Sequence, residues 1–514
     1  MYRHRIVFDL ERICRFSLDP AEMRSPYINT RRFKPEIFSS IIICILLAVL
    51  FMARSYDDPY ITYRYAENLR RGFGFVYNPG ERIQSTTTPL FTLLLVVLSP
   101  LWGDLPHLAN LIGVLSLAAG GLLLWELAAI WKAPWAGWIG LLLYPLFPLA
   151  ITSLGSETPL YIAFCLGAFV TYIRQRYRVT AVYAALAVLT RPDGLLVGMI
   201  LAVDFAIRYF RHRSSTSIPW RAILLFLGIL LPWFIFAWVY FGSPLPVTLA
   251  AKQQQGAMVV SQRFAQGFFA MLGWYKSWRY ELEAVLALLG VVYILWRARQ
   301  WLLFLTWPVL YFTAFSILGV SRYFWYYTPL VPSFLILTGL GVHAIAGLRL
   351  YHPLRWKLTV PAITVHLQPV QILCSVLLAI LCLAQASSLT RLRQPDPRYA
   401  IYRAAGEWLA AYTPAEAVVG ALEVGILGYF THRPMVDFAG LLQPEVTAQL
   451  AGWNNYEHAA VWAVEHYQPQ YLVLFPGDFP QLEQEYVALR CNLKVTFLSH
   501  NNTLNRELAV FECQ

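Results

Sequence analysis

The stretch SYDDPYITYRYAENLRRGFGFVYNPGERIQSTTTPLF, from Ser55 to Phe91, is the densest group of charged, aromatic and turn-forming residues in an otherwise apolar chain. It follows the first long apolar run, residues 37–53, so Asp57 and Asp58 lie where a membrane span would give way to water. Carboxylates at that depth are costly unless they are paired or solvated in a cavity. This acidic pair is therefore the first candidate for a functional site.

The composition of the chain is that of an integral membrane protein. Of its 514 residues, 58% are hydrophobic and only 13% are charged, whereas a soluble protein carries about 25% charged residues. The net charge of +11 is distributed in a way that indicates membrane orientation, and we expect no nucleic acid partner. The seven cysteines form no CxxC pair and no Cys/His cluster, so the sequence predicts no structural metal site.

Apolar runs divide the chain into candidate transmembrane helices, each of which needs roughly 20 residues to cross a bilayer. We predict about 11 spans, at residues 37–53, 107–131, 133–151, 158–173, 179–191, 194–210, 219–241, 281–297, 300–318, 326–348 and 368–388. The first run begins too late for a cleaved signal peptide and is predicted to stay as an anchor. The run at 89–102 is too short to cross, which predicts a helix lying against the membrane surface.

Basic residues set the predicted orientation, because Lys and Arg gather in cytoplasmic loops. Eight of them lie in residues 1–36, and every second loop after that is basic again. We therefore predict a plasma-membrane protein with a cytoplasmic N-terminus, residues 1–36. Next comes a transmembrane domain, residues 37–388, whose first extracytoplasmic loop is 55–104. That loop is unusual because it is basic although it lies outside.

Residues 389–514 change character and are predicted to form an extracytoplasmic α/β domain. They contain a helical pattern in RAAGEWLAAY and five short β-like runs. The last two runs fit an antiparallel hairpin around residues 500–505, which would place Cys491 opposite Cys513. Outside the cytoplasm this pair would suit a disulfide, and two free thiols are the alternative.

Carboxylates in and near the first loop are the candidates for chemistry. Asp58 precedes Pro59, so it fits the N-cap of a helix from residue 60 to 70. Asp57 then has no structural role, and the positive end of that helix would favour its ionised form, as a general base requires. Glu81 and Glu157 are candidates for binding substrate hydroxyls. A solvated turn residue is the alternative for Glu81, and a helix cap is the alternative for Glu157.

The chain resembles a known family over nearly its whole length. The stretches DDPYITYRYAENLRRGFGFVYNPGERIQSTTTPLFTLLL, GSETPLY, RPDG, GSPLPVTLAAK, RYFWYYTPL and LEVGILGYFTHRPMVDFAGL are similar to the GT-C superfamily of integral membrane glycosyltransferases. Within it they most resemble the mycobacterial terminal arabinofuranosyltransferases and related bacterial transferases. The segment 84–87 and the Pro-Val-Thr at 246–248 depart from the usual pattern in stretches presumed to line the sugar pocket, so the sugar stays open.

The resemblance implies an inverting transfer of a hexosyl or pentosyl group from a polyprenyl-phosphate sugar to a cell-envelope glycan, lipid or protein, with Asp57 as the base. The donor's chain would lie between the helices, with membrane lipids around them, and its leaving phosphate needs cations just outside the bilayer. The candidates are Arg64, Arg191, Lys252 and Arg322. Lipid headgroup contacts or internal ion pairs are the alternatives for these basic residues.

No cofactor is required by this chemistry. A divalent cation bridging Asp57, Asp58 and the phosphate would fit hard oxygen ligands. The sequence has no GxGxxG and no P-loop, so a nucleotide donor has no evident site. A transporter or flippase of lipid-linked sugars is the alternative function, but that class typically has internal repeats and broken helices, and no repeat is evident in the sequence.

Overall fold

The computed structural model describes residues 34–211, 217–347, 356–360, 363–367, 369–393, 396–498 and 506–514. Nearly all of the predicted cytoplasmic segment 1–36, namely residues 1–33, lies outside this part of the chain. So does the turn of the predicted C-terminal hairpin.

Helices dominate the chain up to residue 412. Their bounds are α1 Pro35–Phe51, α2 Asp57–Arg70, α3 Pro89–Leu98, α4 Leu105–Ile130, α5 Pro134–Leu143, α6 Pro148–Thr152, α7 Thr158–Ile173, α8 Tyr177–Thr190, α9 Leu195–Arg211, α10 Trp220–Phe241, α11 Thr248–Ala257, α12 Phe264–Leu272, α13 Trp278–Arg297, α14 Leu302–Leu318, α15 Val331–Ala346, α16 Pro369–Leu392 and α17 Pro397–Tyr412. Many begin with proline in the first turn, where the missing N–H costs nothing. Gly242 and Gly319 end α10 and α14 in the left-handed conformation.

Within the described residues, six helical segments are long and apolar enough to cross a membrane: Leu105–Ile130, Pro134–Thr152, Trp220–Phe241, Arg299–Leu318, Phe324–Ala346 and Pro369–Tyr412. The predicted runs 37–53, 158–173 and 179–191 form helices of only 17, 16 and 14 residues. The structure thus supports a helical membrane fold, and it supports the count of 11 spans only in part. The short run at 89–102 is the ten-residue helix α3.

Close helix packing in this part depends on glycine. A Cβ on Gly290 of α13 would lie 2.0 Å from the carbonyl oxygen of Leu337, and one on Gly341 of α15 would lie 2.0 Å from that of Leu286. The backbones of α13 and α15 are therefore in direct contact, as small residues allow in membrane helix pairs.

The C-terminal region contains a five-stranded sheet. The strands are β3 Val419–Ala421, β4 Met435–Asp437, β5 Tyr471–Leu474, β6 Cys491–Leu498 and β7 Glu507–Cys513, in the order β4-β3-β5-β7-β6. Strand β3 is parallel to β4 and β5, and β7 is antiparallel to β5 and β6. The remaining helices are α18 Gly425–Thr431, α19 Pro444–Gln449, α20 Glu457–Tyr467, α21 Pro480–Leu482 and α22 Ala488–Arg490.

The predicted strand runs all form strands, and Cys491 pairs with Cys513 in a disulfide at the predicted register. Two further strands, β1 Trp356–Val360 and β2 Ile363–Leu367, form a separate antiparallel pair that the sequence did not predict.

The first loop packs against the C-terminal sheet rather than standing apart from it. The Tyr77 hydroxyl donates to the carbonyl oxygen of Val424 (2.5 Å), and Asn78 exchanges two hydrogen bonds with the backbone of Met435 (3.0 and 2.9 Å). Buried residues of α2, α17, α18, β3 and β5 share one hydrophobic cluster. This joint core fixes the acidic pair at the junction of the loop and the C-terminal region.

Candidate active site

Asp57 is held by the C-terminal region. Its carboxylate accepts hydrogen bonds from the backbone N–H groups of Gly425 (2.9 Å) and Ile426 (2.8 Å) in the first turn of α18. A Cβ at Gly425 would lie 2.0 Å from the Asp57 carbonyl oxygen, so this contact requires glycine. The expectation that Asp57 has no structural role is therefore wrong.

The helix start also differs from the prediction. Helix α2 begins at Asp57, and its N-cap is Tyr56, whose side chain makes no capping hydrogen bond. Asp58 is therefore not the cap, and its side chain, 34% exposed, pairs with Lys252 instead.

Burial shapes the acidity of Asp57, which lies outside the spans. Desolvation, the largest effect, raises the pKa of Asp57 to about 6, against the lowering effect of the Ile426 N–H, and the neighbouring Asp58 charge raises it further. Such a carboxylate is still mostly ionised at neutral pH, and it is a stronger base than an ordinary aspartate.

A second acidic group borders Asp57 from the C-terminal region. Arg398 donates to both oxygens of Asp396 (3.2 and 3.0 Å) and also pairs with Glu423. Desolvation, assisted by the Asp57 charge, raises the pKa of Glu423 to about 8. We did not predict either Arg398 or Glu423 as a site residue, although Glu423 lies within LEVGILGYF, one of the stretches that carry the resemblance.

Lys252, on α11, faces Asp58. Its Nζ lies 3.7 Å from Asp58 Oδ2 and 3.8 Å from the centre of the Tyr323 ring. The side chain is only 8% exposed, and the ammonium group has no hydrogen-bond partner in the described part of the chain. A buried ammonium group without hydrogen bonds is costly, so this position has unused capacity to bind an anion.

Arg191 is also buried, but its partners are internal. Its Nε lies 3.0 Å from Asp193, and its Nη1 lies 3.6 Å from Glu157. The same guanidinium donates to the hydroxyls of Thr158 and Tyr311 (3.3 and 3.4 Å). The structure thus shows the internal ion pair that was the alternative for Arg191. Glu157 makes no side-chain cap of α7, and burial raises its pKa despite the lowering effect of Arg191.

Arg64 is 1% exposed and holds the loop to the C-terminal region. It donates to the carbonyl oxygens of Gly428 (3.1 Å), Tyr77 (3.4 Å) and Arg433 (3.4 Å), and it contacts His432 Nδ1 (3.1 Å). These contacts give no support to the phosphate-binding role predicted for it.

The remaining two predicted residues, Arg322 and Glu81, form hydrogen bonds with residues other than Asp57. Arg322 is half-buried and donates to Gln262 (2.9 Å). Glu81 is exposed and accepts from Asn78 (3.0 Å), which is the solvated turn that was the alternative for it.

Two stretches predicted to line a sugar pocket meet in the structure. The Val247 N–H donates to the carbonyl oxygen of Gln84 (3.1 Å). Gln84 Oε1 and Thr248 Oγ1 are buried without a hydrogen-bond partner among the residues that the structure describes. Thr248 lies one helical turn before Lys252 on α11, so both side chains share a face. Unpaired buried polar atoms are rare in folded proteins, and this group would suit a hydroxylated ligand.

No metal site is evident from the described residues, since none of their His, Cys, Asp and Glu side chains form a group of three or more that could hold an ion. A divalent cation at Asp57 and Asp58 stays a prediction.

Known structures share this architecture. ArnT from Cupriavidus metallidurans bound to undecaprenyl phosphate matches with a TM-score of 0.55 at 15% identity, over 93% of this chain and 97% of that chain. The archaeal oligosaccharyltransferase AglB from Archaeoglobus fulgidus, in complex with an inhibitory peptide and a dolichol-phosphate, matches with a TM-score of 0.55 at 13% identity, over 88% of this chain and 70% of that chain.

Residues 391–508 match the model of a family described as a domain of unknown function, DUF8728. The comparison with curated proteins gives no significant match.

The chain has the fold of the GT-C superfamily, to which ArnT and AglB belong, and this confirms the resemblance at the level of fold. With its apolar helices, it is an integral membrane protein.

Proposed function

We propose that the protein is an inverting glycosyltransferase that moves a sugar from a polyprenyl-phosphate donor to an extracytoplasmic acceptor. The observation that carries this proposal is the buried Lys252 ammonium, which pairs with Asp58 but makes no hydrogen bond to the described residues. It lies within a fold shared with ArnT, whose structure holds undecaprenyl phosphate. No contact in the site favours a transporter or flippase instead.

On the donor side, Lys252 binds the lipid phosphate. The phosphate supplies the hydrogen-bond acceptors that the ammonium lacks, and the attraction increases as negative charge develops on the leaving group. Gln84 and Thr248 present their unpaired oxygens to the hydroxyls of the transferred sugar. Arg191 acts indirectly in this scheme, because its charge is already balanced by Glu157 and Asp193.

On the acceptor side, Asp57 is the general base. Each carboxylate oxygen accepts more than one hydrogen bond, so the bonds from Gly425 and Ile426 leave room for an acceptor hydroxyl. Asp57 takes the hydroxyl proton while the acceptor oxygen forms a bond to the anomeric carbon. The bond from that carbon to the phosphate oxygen breaks on the opposite face, and the polyprenyl phosphate leaves with the electron pair. The anomeric configuration inverts.

The proposed orientation in the plasma membrane has a cytoplasmic segment 1–36, a transmembrane domain 37–388 with about 11 spans and the external loop 55–104, and an external domain 389–514. The Cys491–Cys513 disulfide supports this orientation, because disulfides persist in oxidising compartments outside the cytoplasm.

The reaction as written needs no cofactor, since Lys252 supplies the positive charge that a bridging divalent cation would otherwise supply. Transfer rates with excess EDTA and with added Mg²⁺ distinguish these two arrangements. Unchanged activity in EDTA is the expected result.

The test is transfer of radiolabelled sugar from a panel of polyprenyl-phosphate sugars to membrane and cell-wall acceptors, using the full-length protein in nanodiscs. Asp57→Asn is expected to reduce transfer by roughly 10²- to 10⁴-fold, the usual contribution of a general base. Asp58→Asn is expected to keep part of the activity. Asp104→Asn, an exposed aspartate of the same loop, is the matched control.

Full transfer by the Asp57→Asn variant would remove Asp57 as the base. Asparagine keeps one carbonyl acceptor for the N–H groups of α18 that bind Asp57. Thermal unfolding of each variant measures whether this contact, and with it the fold, is retained. Movement of labelled donor across a vesicle membrane with no transfer product would instead identify a flippase.

A further inference from the structure

The C-terminal sheet has a topological switch point beside Asp57. Strand β3 connects through α18 to β4 on one side, and the chain then returns through α19 and α20 to β5 on the other side of β3. The connections that leave the carboxyl ends of β3 and β5 therefore diverge. Open α/β sheets bind ligands in the crevice at such a point.

A cavity of about 130 Å³ lies at this position. Glu423 borders it just after β3, and Phe475 and Asp478 border it just after β5. Arg398, Tyr402 and Arg506 also line the cavity. With Phe479, the lining combines two guanidinium groups, two carboxyl groups and three aromatic rings.

Glu423 links this cavity to the reacting centre. Its carboxylate interacts electrostatically with Asp57, and so does the guanidinium of Arg398. Two and three residues after Glu423, the N–H groups of Gly425 and Ile426 bind the Asp57 carboxylate. Lys252, in contrast, pairs with Asp58. Glu423 therefore connects the cavity to the backbone segment that holds the proposed base.

Both guanidinium groups of the lining already have carboxylate partners. Arg398 is balanced by Asp396 and Glu423, and Arg506 pairs with Asp478. Neither guanidinium group therefore has an unbalanced charge that would attract a phosphate. Hydroxyl groups suit such a lining, because they donate to carboxylates and accept from guanidinium groups. Arg506 stacks over the Phe475 ring at 4.6 Å, which leaves both a polar and an apolar surface, as a sugar ring has.

The volume limits the ligand further. One water occupies about 30 Å³ of liquid, so the cavity replaces only a few waters. It admits one face of a sugar ring and is too small for a lipid chain. We propose that this cavity binds a neutral sugar unit of a glycan acceptor and directs one of its hydroxyls towards Asp57. The inference rests on the proposed function and names the acceptor class for it.

The experiment uses the full-length protein in nanodiscs, with a labelled donor that supports transfer. Methyl glycosides of neutral hexoses and pentoses are the acceptor probes, and free polyprenol and a Ser/Thr-containing peptide are compared with them. The test variants are Phe475→Leu and the double variant Asp478→Asn, Arg506→Gln. The matched control is Arg403→Gln, Glu407→Gln, which removes an exposed guanidinium–carboxylate pair on α17.

We expect a neutral glycoside to accept the sugar. The test variants should raise the KM for this glycoside by about tenfold, which corresponds to the loss of one charge-assisted hydrogen bond. The KM for the donor and the slow hydrolysis of the donor by water should not change. An unchanged glycoside KM in folded test variants would overturn the inference, and so would transfer to polyprenol or peptide alone.

A separate measurement keeps the two proposals apart. Saturation-transfer NMR reports direct binding of the methyl glycosides to the protein without any donor. Binding that the test variants weaken, with no transfer from any donor, would overturn the proposed function and support the cavity. Transfer without any binding of the glycosides would support the proposed function and overturn the assignment of the cavity.

Discussion

Arg191 and Lys252 are both buried cations, and the sequence predicted the same role for both. In the Arg191 region, two carboxylates and two hydroxyls surround the guanidinium group. In the Lys252 region, the ammonium group has one half-exposed carboxylate at 3.7 Å and no hydrogen bond. The difference shows that burial alone does not identify a ligand-binding cation. What distinguishes Lys252 is hydrogen-bonding capacity that the protein leaves unused.

The largest effect is expected from Arg191→Met. The change leaves Glu157 and Asp193 buried without their cation, which typically costs 3–5 kcal/mol, so about 3 kcal/mol or more of stability should be lost. Thermal and denaturant unfolding in detergent measure this loss. Arg299→Met, at an exposed arginine, is the control and should stay close to the parent protein. Equal stability of the two variants would break the comparison.

Lys252→Met should have the opposite effect, with a large loss of transfer activity and little loss of stability. Methionine fills the buried space and no protein hydrogen bond is lost, so stability should change little. Transfer should fall by about 10²- to 10³-fold, as on removal of a group that stabilises transition-state charge. Lys276→Met, at an exposed lysine, is the matched control. Normal turnover with Lys252→Met would show that the lipid phosphate is held elsewhere.

Asp58→Asn tests the electrostatics beside Lys252 through the pH dependence of transfer. Transfer should decrease as the pH falls through about 6, because protonated Asp57 cannot accept a proton. Asp58 is a neighbouring negative charge that raises the pKa of Asp57. Its removal should therefore move the midpoint of the acid limb to lower pH, by about one unit or less. A midpoint that moves to higher pH would contradict this electrostatic arrangement.

The smallest effect is expected from Glu81→Gln. This carboxylate is exposed and bonded only within its turn, to Asn78, and exposed pairs contribute about 1 kcal/mol or less. Both the donor KM and the acceptor KM should stay within about twofold of the parent values. A larger rise in either KM would restore the sugar-binding role that the sequence predicted for Glu81.

Much of the local architecture could be predicted from the sequence. Hydrophobic runs, proline at helix starts and β-like segments are short-range patterns, and the resulting helices and strands follow them. The placement of Cys491 opposite Cys513 could be predicted because the register of a hairpin is a local property, whereas the sequence left open whether the two form a disulfide. The unusual density of polar residues in the first loop also marked Asp57 and Asp58 as the residues to examine.

The tertiary structure alone decided which charged groups are already satisfied. Arg64 donates to Gly428 and Asp57 accepts from Gly425, in each case across more than 360 residues of sequence. Likewise, only folding brings Glu423 and Arg398 to Asp57, and the backbone of Gln84 to that of Val247. The sequence determines which groups can ionise or donate. Whether a partner consumes that capacity depends on contacts between distant segments, which exist only after the chain has folded.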